Sequence, residues 1–367
     1  MKSRGGWCNY KRAPANEKVQ SLIFTYFCVM ATLLIGAVGI RAQGDTPSWC
    51  VSVWYPSADT GGLESIRANA DQIGMIHPFW YSQRPDGTLQ VTDDAEAADL
   101  LAEWRGDGMK IVPSIAGAVW EMITAPDMRA FHIDQIMALV ERMGYDGIDI
   151  DYEGFPLFTR DDFSTFVEEL SARLHENGKL LTIAVHAKTN DTGAHEGAAA
   201  QDWTRIAPAV DVLTIMTYNY TSRNEPPGPI SPPEWVDDVL VYAATVTDLG
   251  KVQMGLHIFA YSWLRDKPPA TTTTWEAAQR LIDIYDLEIT RNPANMEAMI
   301  TFKARGLPRQ TITFADSAGL EYKLEMILAD FPDLGGAAIW GVGGEDPDIW
   351  NVLREARQPN CTLRTAA

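Results

Sequence analysis

The segment that decides the fold is DGIDIDYE, residues 146–153. Its acids Asp149, Asp151 and Glu153 are two residues apart, and side chains with that spacing share one face of a β-strand. Two isoleucines and a tyrosine occupy the alternate positions, which predicts that the other face packs against helices. In a closed barrel every second side chain points inward, so the acidic face is expected to line the interior.

The segments on either side repeat a strand–helix pattern. Short runs rich in β-branched and aromatic residues alternate with amphipathic stretches of helical period. Eight such units in series predict an α/β fold of the (β/α)8 TIM-barrel type. A doubly wound open sheet is the competing architecture, but PSADTGG at 56–62 does not match the GxGxxG loop that such a sheet would carry. The predicted strands are 49–55, 74–81, 110–115, 147–152, 180–186, 212–218, 252–259 and 336–341, and the predicted helices include 93–106, 131–143, 161–177, 233–247 and 346–357.

One interval is too long for a single strand–helix unit. Roughly 75 residues separate the seventh strand from the eighth, where a unit needs about 30 to 40. The excess contains one helical pattern and several short strand patterns. We therefore expect a small α+β insertion at about 264–315, within a barrel domain that spans 43–367.

The N-terminal segment has the pattern of an export signal. Residues 2–18 carry five basic side chains and one acid, and 22–40 contain no charge. This predicts a signal peptide over 1–42, cut after Ala42, although the apolar run is long enough to be an uncleaved anchor. Both interpretations place 43–367 outside the cytoplasm, secreted or in the cell envelope.

Composition and charge exclude several classes of protein. Hydrophobic residues make up 46% of the chain and charged residues 22%, which is ordinary for a globular protein. The formal net charge is −19, and it becomes −24 without residues 1–42. Such a charge argues against nucleic acid and against an anionic membrane surface as partners. Cys50 and Cys361 would remain at the two ends of the exported chain, either as a structural disulfide or as two thiols.

The row of acids points to proton chemistry. Three neighbouring carboxylates inside a barrel cannot all ionise freely, because repulsion and burial raise at least one pKa. Glu153 is nearest the carboxyl end of the strand, so it is the expected general acid. Two alternatives are a solvated acidic edge, which the isoleucines disfavour, and a metal site completed by His77, His186 and His257.

DGIDIDYE resembles the DxxDxDxE signature of glycoside hydrolase family 18, which includes chitinases and related N-acetylglucosaminidases. MTYN at 216–219 resembles the family's MxYD segment, SIAG at 114–117 a weakened SxGG, and Trp340 the tryptophan under the sugar. The resemblance implies a retaining, substrate-assisted mechanism, no metal and no cofactor. It implies that Glu153 is the general acid/base, Asp151 holds the acetamido group, Asp149 holds the proton of Asp151, and Tyr218 donates to the acetamide carbonyl.

The resemblance also implies a substrate and further contacts. Trp340 is expected to bind substrate, as is Asn219, which stands where the family usually has Asp. Apart from the resemblance, Tyr55 and Phe79 lie at predicted strand ends, where sugar stacking is expected, and Met216 points inward from the sixth strand. These three are expected to bind substrate, with packing in the core as the alternative. The expected substrate is a polymer of β-1,4-linked N-acetylglucosamine, of the peptidoglycan or chitin type, and the chain is expected to act as a monomer. PPGPISP at 226–232 and GGEDPDIW at 343–350 resemble the branch that acts on cell-wall or spore-cortex glycan. A non-catalytic lectin on the same barrel and a metal-dependent hydrolase are the alternatives.

Overall fold

The computed structural model of the chain describes residues 50–56, 61–92, 97–303, 305–306 and 308–356. The predicted signal segment 1–42 and Cys361 lie outside these residues. Within them, no helix is both long enough and apolar enough to cross a membrane.

The strands form two sheets, a large one for the barrel and a small antiparallel one. The barrel sheet contains β1 (Cys50–Tyr55), β2 (Ile73–Pro78), β3 (Tyr81–Gln83), β4 (Leu89–Val91), β5 (Lys110–Ile111), β6 (Ser114–Gly117), β7 (Gly147–Tyr152), β8 (Leu180–His186), β9 (Val212–Met216) and β10 (Val252–His257). The small sheet contains β11 (Phe259–Leu264), β12 (Thr271–Thr274), β13 (Thr290–Arg291), β14 (Ala298–Phe302) and β15 (Gln310–Phe314), and β16 (Gly336–Trp340) returns to the barrel.

Helices follow the barrel strands and cover their outer face, apart from Trp275–Tyr285, which packs with the small sheet. They are α1 (Gly62–Ala68), α2 (Ala98–Gly106), α3 (Glu121–Thr124), α4 (Pro126–Met143), α5 (Arg160–Glu176), α6 (Glu196–Ala200), α7 (Trp203–Ala209), α8 (Pro233–Val246), α9 (Trp275–Tyr285), α10 (Ser317–Asp330) and α11 (Ile349–Ala356). Short 3-10 turns at Ala70–Gln72, Leu157–Thr159 and Leu249–Lys251 lie between them.

The barrel closes through a strand that is split in two. Strands β7, β8, β9, β10, β16, β1 and β2 follow one another as parallel neighbours. Strand β5 pairs with β2, and β6, three residues further along the chain, pairs with β7. Between them the Val112 N–H donates to the Ile76 carbonyl and the Pro113 carbonyl accepts from Asp149. The TIM-barrel prediction is confirmed, with its third strand broken at Val112–Pro113.

The two faces of β7 divide as the alternation predicts. Ile148, Ile150 and Tyr152 are buried in the main apolar core beneath the helices. At the amino ends of the strands, a separate apolar layer of four side chains fills the barrel: Met75, Val112, Leu180 and Val212. This layer leaves the carboxyl ends of the strands as the end where polar inward side chains gather.

The small sheet is an insertion between β10 and β16. Its strands are antiparallel in the order β12, β11, β15, β14, β13, and together with α9 they enclose their own core around Ile300, Ile312 and Phe314. The seventh barrel strand ends at His257, and β11 begins two residues later at Phe259. The insertion elements therefore span 259–314, beginning slightly earlier than the sequence indicates.

Most differences from the predicted boundaries have a local cause. Strand β9 ends at Met216 rather than 218, because the Thr217 N–H turns back to the Ile215 carbonyl and Asn219 adopts a left-handed conformation with φ of 63°. Helix α4 begins at Pro126 rather than 131, since proline suits the first position of a helix. Strands β7 and β8 have the predicted bounds.

Candidate active site

The three acids of β7 form a row that runs from the barrel interior to its mouth. The side chain of Asp149 is fully buried, Asp151 is 8% exposed, and the Glu153 side chain is 47% exposed. Glu153 follows the last strand residue, and its N–H donates to the Gly117 carbonyl at 2.9 Å, which continues the pairing with β6. The row therefore places one acid in the core, one beneath the surface and one within reach of a ligand.

Asp149 is held by three donors from three different strands. Its carboxylate accepts hydrogen bonds from Trp54 Nε1 at 3.0 Å, Ser114 Oγ at 2.6 Å and Thr182 Oγ1 at 2.6 Å. These bonds satisfy the buried charge and fix the acid at the base of the row. Ser114 is the serine of the SIAG segment, so the weakened SxGG motif acts on the row through this contact.

Asp151 lies in the middle of the row with one oxygen free. Its Oδ1 is buried and has no hydrogen-bond partner among the described residues. Burial raises the pKa of Asp151 well above its ordinary value, and the neighbouring charges of Glu153 and Asp149 raise it further. Burial also raises the pKa of Glu153. The upper part of the row therefore retains a proton at a pH where isolated carboxyl groups would have lost it.

His186, the last residue of strand β8, contacts Glu153. His186 Nδ1 lies 3.5 Å from Glu153 Oε2, and the His186 and His195 rings meet edge to face at 4.6 Å. Burial lowers the pKa of His186 to about 4, and the neighbouring His195 lowers it as well. His186 is therefore neutral near pH 7, and it does not supply a positive charge that would favour ionised Glu153.

Tyr218 lies opposite the row, beyond the end of β9. Its side chain is buried, and burial together with the charge of Asp151 raises its pKa well above its ordinary value, so the hydroxyl stays protonated and can donate. Gly255 on β10 makes room for the ring, since a Cβ there would lie 3.0 Å from Tyr218 Cε1 and 2.7 Å from the Ile215 carbonyl oxygen. A side chain at 255 would displace the tyrosine.

Aromatic side chains line the wall at β16 and β1. Trp340, at the end of β16, meets Phe79 with ring centroids 5.2 Å apart and Trp54 at 6.1 Å, both edge to face. Trp340 and Phe79 are each partly exposed, whereas Trp54 is buried. A partly exposed indole face beside the acid row is a surface on which a sugar ring can stack.

Asn219 and Met216 lie on the β9 side of the mouth. Met216 is half-buried and packs with Tyr218 and Tyr261. Asn219 is exposed, and its Oδ1 accepts a hydrogen bond from the Tyr261 hydroxyl at 2.7 Å. Tyr261 belongs to β11, so the insertion contributes a side chain to the mouth of the barrel.

The expectation that Tyr55 binds substrate is wrong. Tyr55 is 1% exposed and packs against Trp104 of α2 with ring centroids 5.6 Å apart. Its neighbour Trp54 points inward to Asp149, and adjacent residues of a strand point to opposite faces. Tyr55 therefore belongs to the core between the barrel and its helices.

The three histidines considered as metal ligands are separated by the fold. His77 Nδ1 lies 2.8 Å from the Val112 carbonyl, His186 contacts Glu153, and His257 is buried beside Phe259. In the part of the chain that the structure describes, no group of three or more His, Cys, Asp or Glu side chains is placed to hold a metal ion. Cys50 is disulfide-bonded, and its predicted partner Cys361 lies outside the described residues.

Sequence reasoning gave Thr182, Gln201 and Tyr261 no role in the site and considered His186 only as a metal ligand. Thr182 and His186 both point inward from β8, and the two-residue alternation along that strand is the signal that would have found them. Gln201 accepts the His186 backbone N–H at 2.7 Å and donates to the Tyr152 carbonyl. The contact of Tyr261 with Asn219 has no local signal, because the two residues are 42 positions apart.

Fold and site together indicate the class of protein, a glycosidase: in this barrel a row of carboxylates runs along one strand, β7, to its carboxyl end, and aromatic side chains lie beside the row. The chain belongs to the glycosyl hydrolases family 18, whose model matches residues 7–345.

Three similar proteins illustrate the relationship. A chitinase from Chromobacterium violaceum has the same fold, with a TM-score of 0.78 and 19% identity over 84% of this chain and 99% of that chain. A cortical fragment-lytic enzyme of Bacillus anthracis is 24% identical over 305 residues, 80% of this chain and 70% of that protein. A sporulation-specific glycosylase of Bacillus subtilis is 26% identical over 227 residues, which is 60% of this chain. The chain spans about half (54%) of the length of that protein.

Proposed function

We propose that this chain hydrolyses β-1,4 linkages of N-acetylglucosamine-containing polymers, with retention of configuration and with Glu153 as general acid/base. The observation that carries the proposal is the free, buried Oδ1 of Asp151 between a fixed carboxylate and an accessible acid. A free acceptor at this position suits the N–H of an acetamido group on a bound sugar. Relatives that act on spore cortex support the same substrate class.

The spacing of the acids supports a mechanism that uses the substrate as nucleophile. Asp151 and Glu153 leave one strand on the same side, about 6.6 Å apart along the backbone. A retaining enzyme with a protein nucleophile needs carboxyl groups on opposite faces of the sugar, about 5 Å apart. Two acids on one side do not meet that requirement, and so the acetamido oxygen of the bound sugar is the nucleophile that we propose.

In the first step Glu153 transfers its proton to the glycosidic oxygen. The bond between that oxygen and C1 breaks, and the acetamido oxygen forms a bond to C1, which gives an oxazolinium ion. Asp151 accepts a hydrogen bond from the acetamido N–H and stabilises the positive charge, while the hydroxyl of Tyr218 donates to the acetamido oxygen. Trp340 stacks beneath the sugar ring.

In the second step a water molecule attacks C1 and opens the oxazolinium ring. The Glu153 carboxylate takes a proton from that water, which restores the acid and retains the configuration at C1. Asp149 acts beneath Asp151 and shares its proton as the charge on the substrate changes. We further propose that the chain works outside the cytoplasm, where such polymers lie.

The experiment is digestion of two purified substrates, N-acetylated chitin oligomers and peptidoglycan, with products identified by mass and by the anomer first released. The proposal expects the β-anomer first and no cleavage of de-N-acetylated oligomers. Glu153→Gln is the matched control, since it keeps the shape of the side chain and removes the acid.

Two outcomes contradict the proposal. If the folded protein cleaves neither polymer but binds both, the lectin alternative replaces the enzyme. If the α-anomer is released first, the substrate-assisted mechanism is wrong.

A further inference from the structure

The loop that follows β9 carries two polar side chains that the reaction does not use, Asn219 and Arg223. Asn219 has φ of 63°, in the left-handed region. Asn and Asp both tolerate this conformation better than other residues with a side chain. The backbone therefore explains a short polar residue at 219 but does not explain an amide in place of a carboxylate.

The hydrogen bond from Tyr261 fixes what the amide presents to a ligand. The Tyr261 hydroxyl donates to Asn219 Oδ1 at 2.7 Å, which uses the acceptor end of the amide. The two N–H groups on Nδ2 remain, and Asn219 is exposed at the mouth. An aspartate at this position would offer only acceptors and a negative charge, whereas the amide offers a donor.

Arg223 adds a positive charge to the same region. Its carbonyl accepts the Ala270 N–H at 2.7 Å, and Ala270 packs in one apolar cluster with Tyr261 and Tyr218. The guanidinium is exposed and makes no ion pair or side-chain hydrogen bond with any residue that the structure describes. Glu225, the nearest acid in the loop, is turned back to the Ser222 N–H at 2.7 Å.

The charge of Arg223 reaches the hydroxyl that holds Asn219. Burial raises the pKa of Tyr261, and the positive charge of Arg223 opposes that rise. The guanidinium therefore lies within electrostatic range of the Tyr261–Asn219 contact. The chain has a net charge of −19, and among the residues that the structure describes Arg223 forms no ion pair, so the loop that carries Asn219 also carries an uncompensated positive charge.

We propose that Asn219 and Arg223, with Tyr261 as the positioning residue, form a subsite for a carboxylate carried by the substrate. The ligand class is a glycan in which N-acetylglucosamine alternates with an N-acetyl sugar that bears a free carboxylate, as in peptidoglycan strands whose stem peptides have been removed. Arginine binds carboxylates through paired N–H groups, and an amide N–H adds a neutral donor. A neutral chitin chain has no group that needs this pair. The inference rests on the proposed function, because it gives that site a preference between its two candidate polymers.

The test compares one soluble oligosaccharide of each kind: a chitin tetramer and a peptide-free peptidoglycan tetrasaccharide of the same length. The value of kcat/KM is measured on both for the wild type, Arg223→Gln and Asn219→Asp. Arg280→Gln, an exposed arginine on α9, is the matched control. Hydrogen bonds to charged groups are worth enough that losing one lowers the peptidoglycan-to-chitin ratio by about tenfold or more. Asn219→Asp is expected to lower the ratio further, because it sets a carboxylate against a carboxylate.

Binding of the same two ligands to the Glu153→Gln protein, measured by titration calorimetry, separates this inference from the proposed function. If neither ligand is cleaved but the peptidoglycan ligand binds more tightly and Arg223→Gln abolishes the difference, the subsite stands and the enzymatic proposal fails. If both ligands are cleaved and neither substitution changes the ratio, the subsite is wrong. Equal binding of the two ligands by Glu153→Gln would also overturn it.

Discussion

Two buried clusters of ionisable side chains differ in whether the protein itself supplies their hydrogen-bond and charge partners. In the acid row of β7, one oxygen of Asp151 has no hydrogen-bond partner in the described part of the chain, and the neutral His186 beside Glu153 provides no countercharge. At the junction between the barrel and the insertion, Glu297 and Lys323 are equally buried, but each has partners. The acid row leaves a buried acceptor that a ligand can satisfy, whereas at the junction the protein's own groups satisfy the buried charges.

The junction pair is joined through Ser231. The carboxylate of Glu297 accepts the N–H groups of Ile230 and Ser231, and Lys323 Nζ donates to Ser231 Oγ at 2.7 Å. Burial raises the pKa of Glu297, and the Lys323 charge opposes that rise. Burial lowers the pKa of Lys323 to about 8. These contacts link the loop before α8, the insertion and α10, so we assign the junction a structural role.

The largest expected effect is on the acid row. Glu153→Gln is expected to reduce kcat by at least about a thousandfold with little change in melting temperature, because general acid catalysis is lost while the packing is kept. Steady-state hydrolysis and thermal unfolding measure the two effects. Activity within tenfold of the wild type would remove Glu153 from the mechanism.

The corresponding change at the junction is expected to affect stability. Lys323→Met removes the charged hydrogen bond to Ser231 and the positive charge near buried Glu297. A hydrogen bond to a charged group is worth about 1.5 to 3 kcal/mol, so the free energy of unfolding should fall by about that amount. The activity of the folded fraction should change little. Urea unfolding measures the loss.

The double variant Lys323→Met with Glu297→Gln is the matched control, and it should recover part of the stability because the unpaired charge is gone. A single variant as stable as the wild type would show that the two regions do not differ in this way.

Asp151→Asn tests the sign of the pH dependence in the row. Below the ordinary pKa of 3.8, Asp151 is neutral in both the folded and the unfolded chain. As the pH rises from that value towards the raised pKa of the folded chain, the unfolded chain loses the Asp151 proton while the folded chain keeps it. This group therefore lowers the stability of the fold towards pH 7. Asparagine cannot ionise. The melting temperature of the Asp151→Asn variant should therefore exceed that of the wild type by more at pH 7 than at pH 4.

Activity is expected to fall strongly in the same variant, which would separate stability from function at one residue. Thermal unfolding at the two pH values measures the first effect. An equal difference in melting temperature at both values would argue that Asp151 is not a carboxyl group with a raised pKa.

The smallest expected effect concerns the histidine beside Glu153. His186→Lys places a positive charge where a neutral ring lies 3.5 Å from the carboxylate. An opposite charge at that range lowers a carboxyl pKa by roughly one unit or more. Because Glu153 must be protonated to act, the alkaline limb of the kcat/KM profile should move to lower pH. His186→Asn is the neutral control and should leave the limb near its wild-type position; a shift in both variants would point to altered packing.

Local patterns were sufficient for the barrel and for much of the row. The two-residue spacing of Asp149, Asp151 and Glu153 specified which face of β7 points inward, and the strand bounds of β7 and β8 followed from β-branched runs. Tyr55 shows where an aromatic residue alone misleads. It was assigned to the substrate although its neighbour Trp54 occupies the inward position, and the same alternation would have excluded it.

The sequence by itself determined the repeated strand–helix order, the acidic face and the family, because each is written in spacings of a few residues. Only the tertiary structure decided which donors bind Asp149 and which side chain contacts Glu153. It also decided that the Tyr261 hydroxyl of the insertion donates to Asn219 Oδ1 and so orients the amide. These contacts join residues 33 to 95 positions apart, and all depend on strand register and loop packing. No local pattern encodes such distances, since they are set when the barrel closes and the small sheet packs against its mouth.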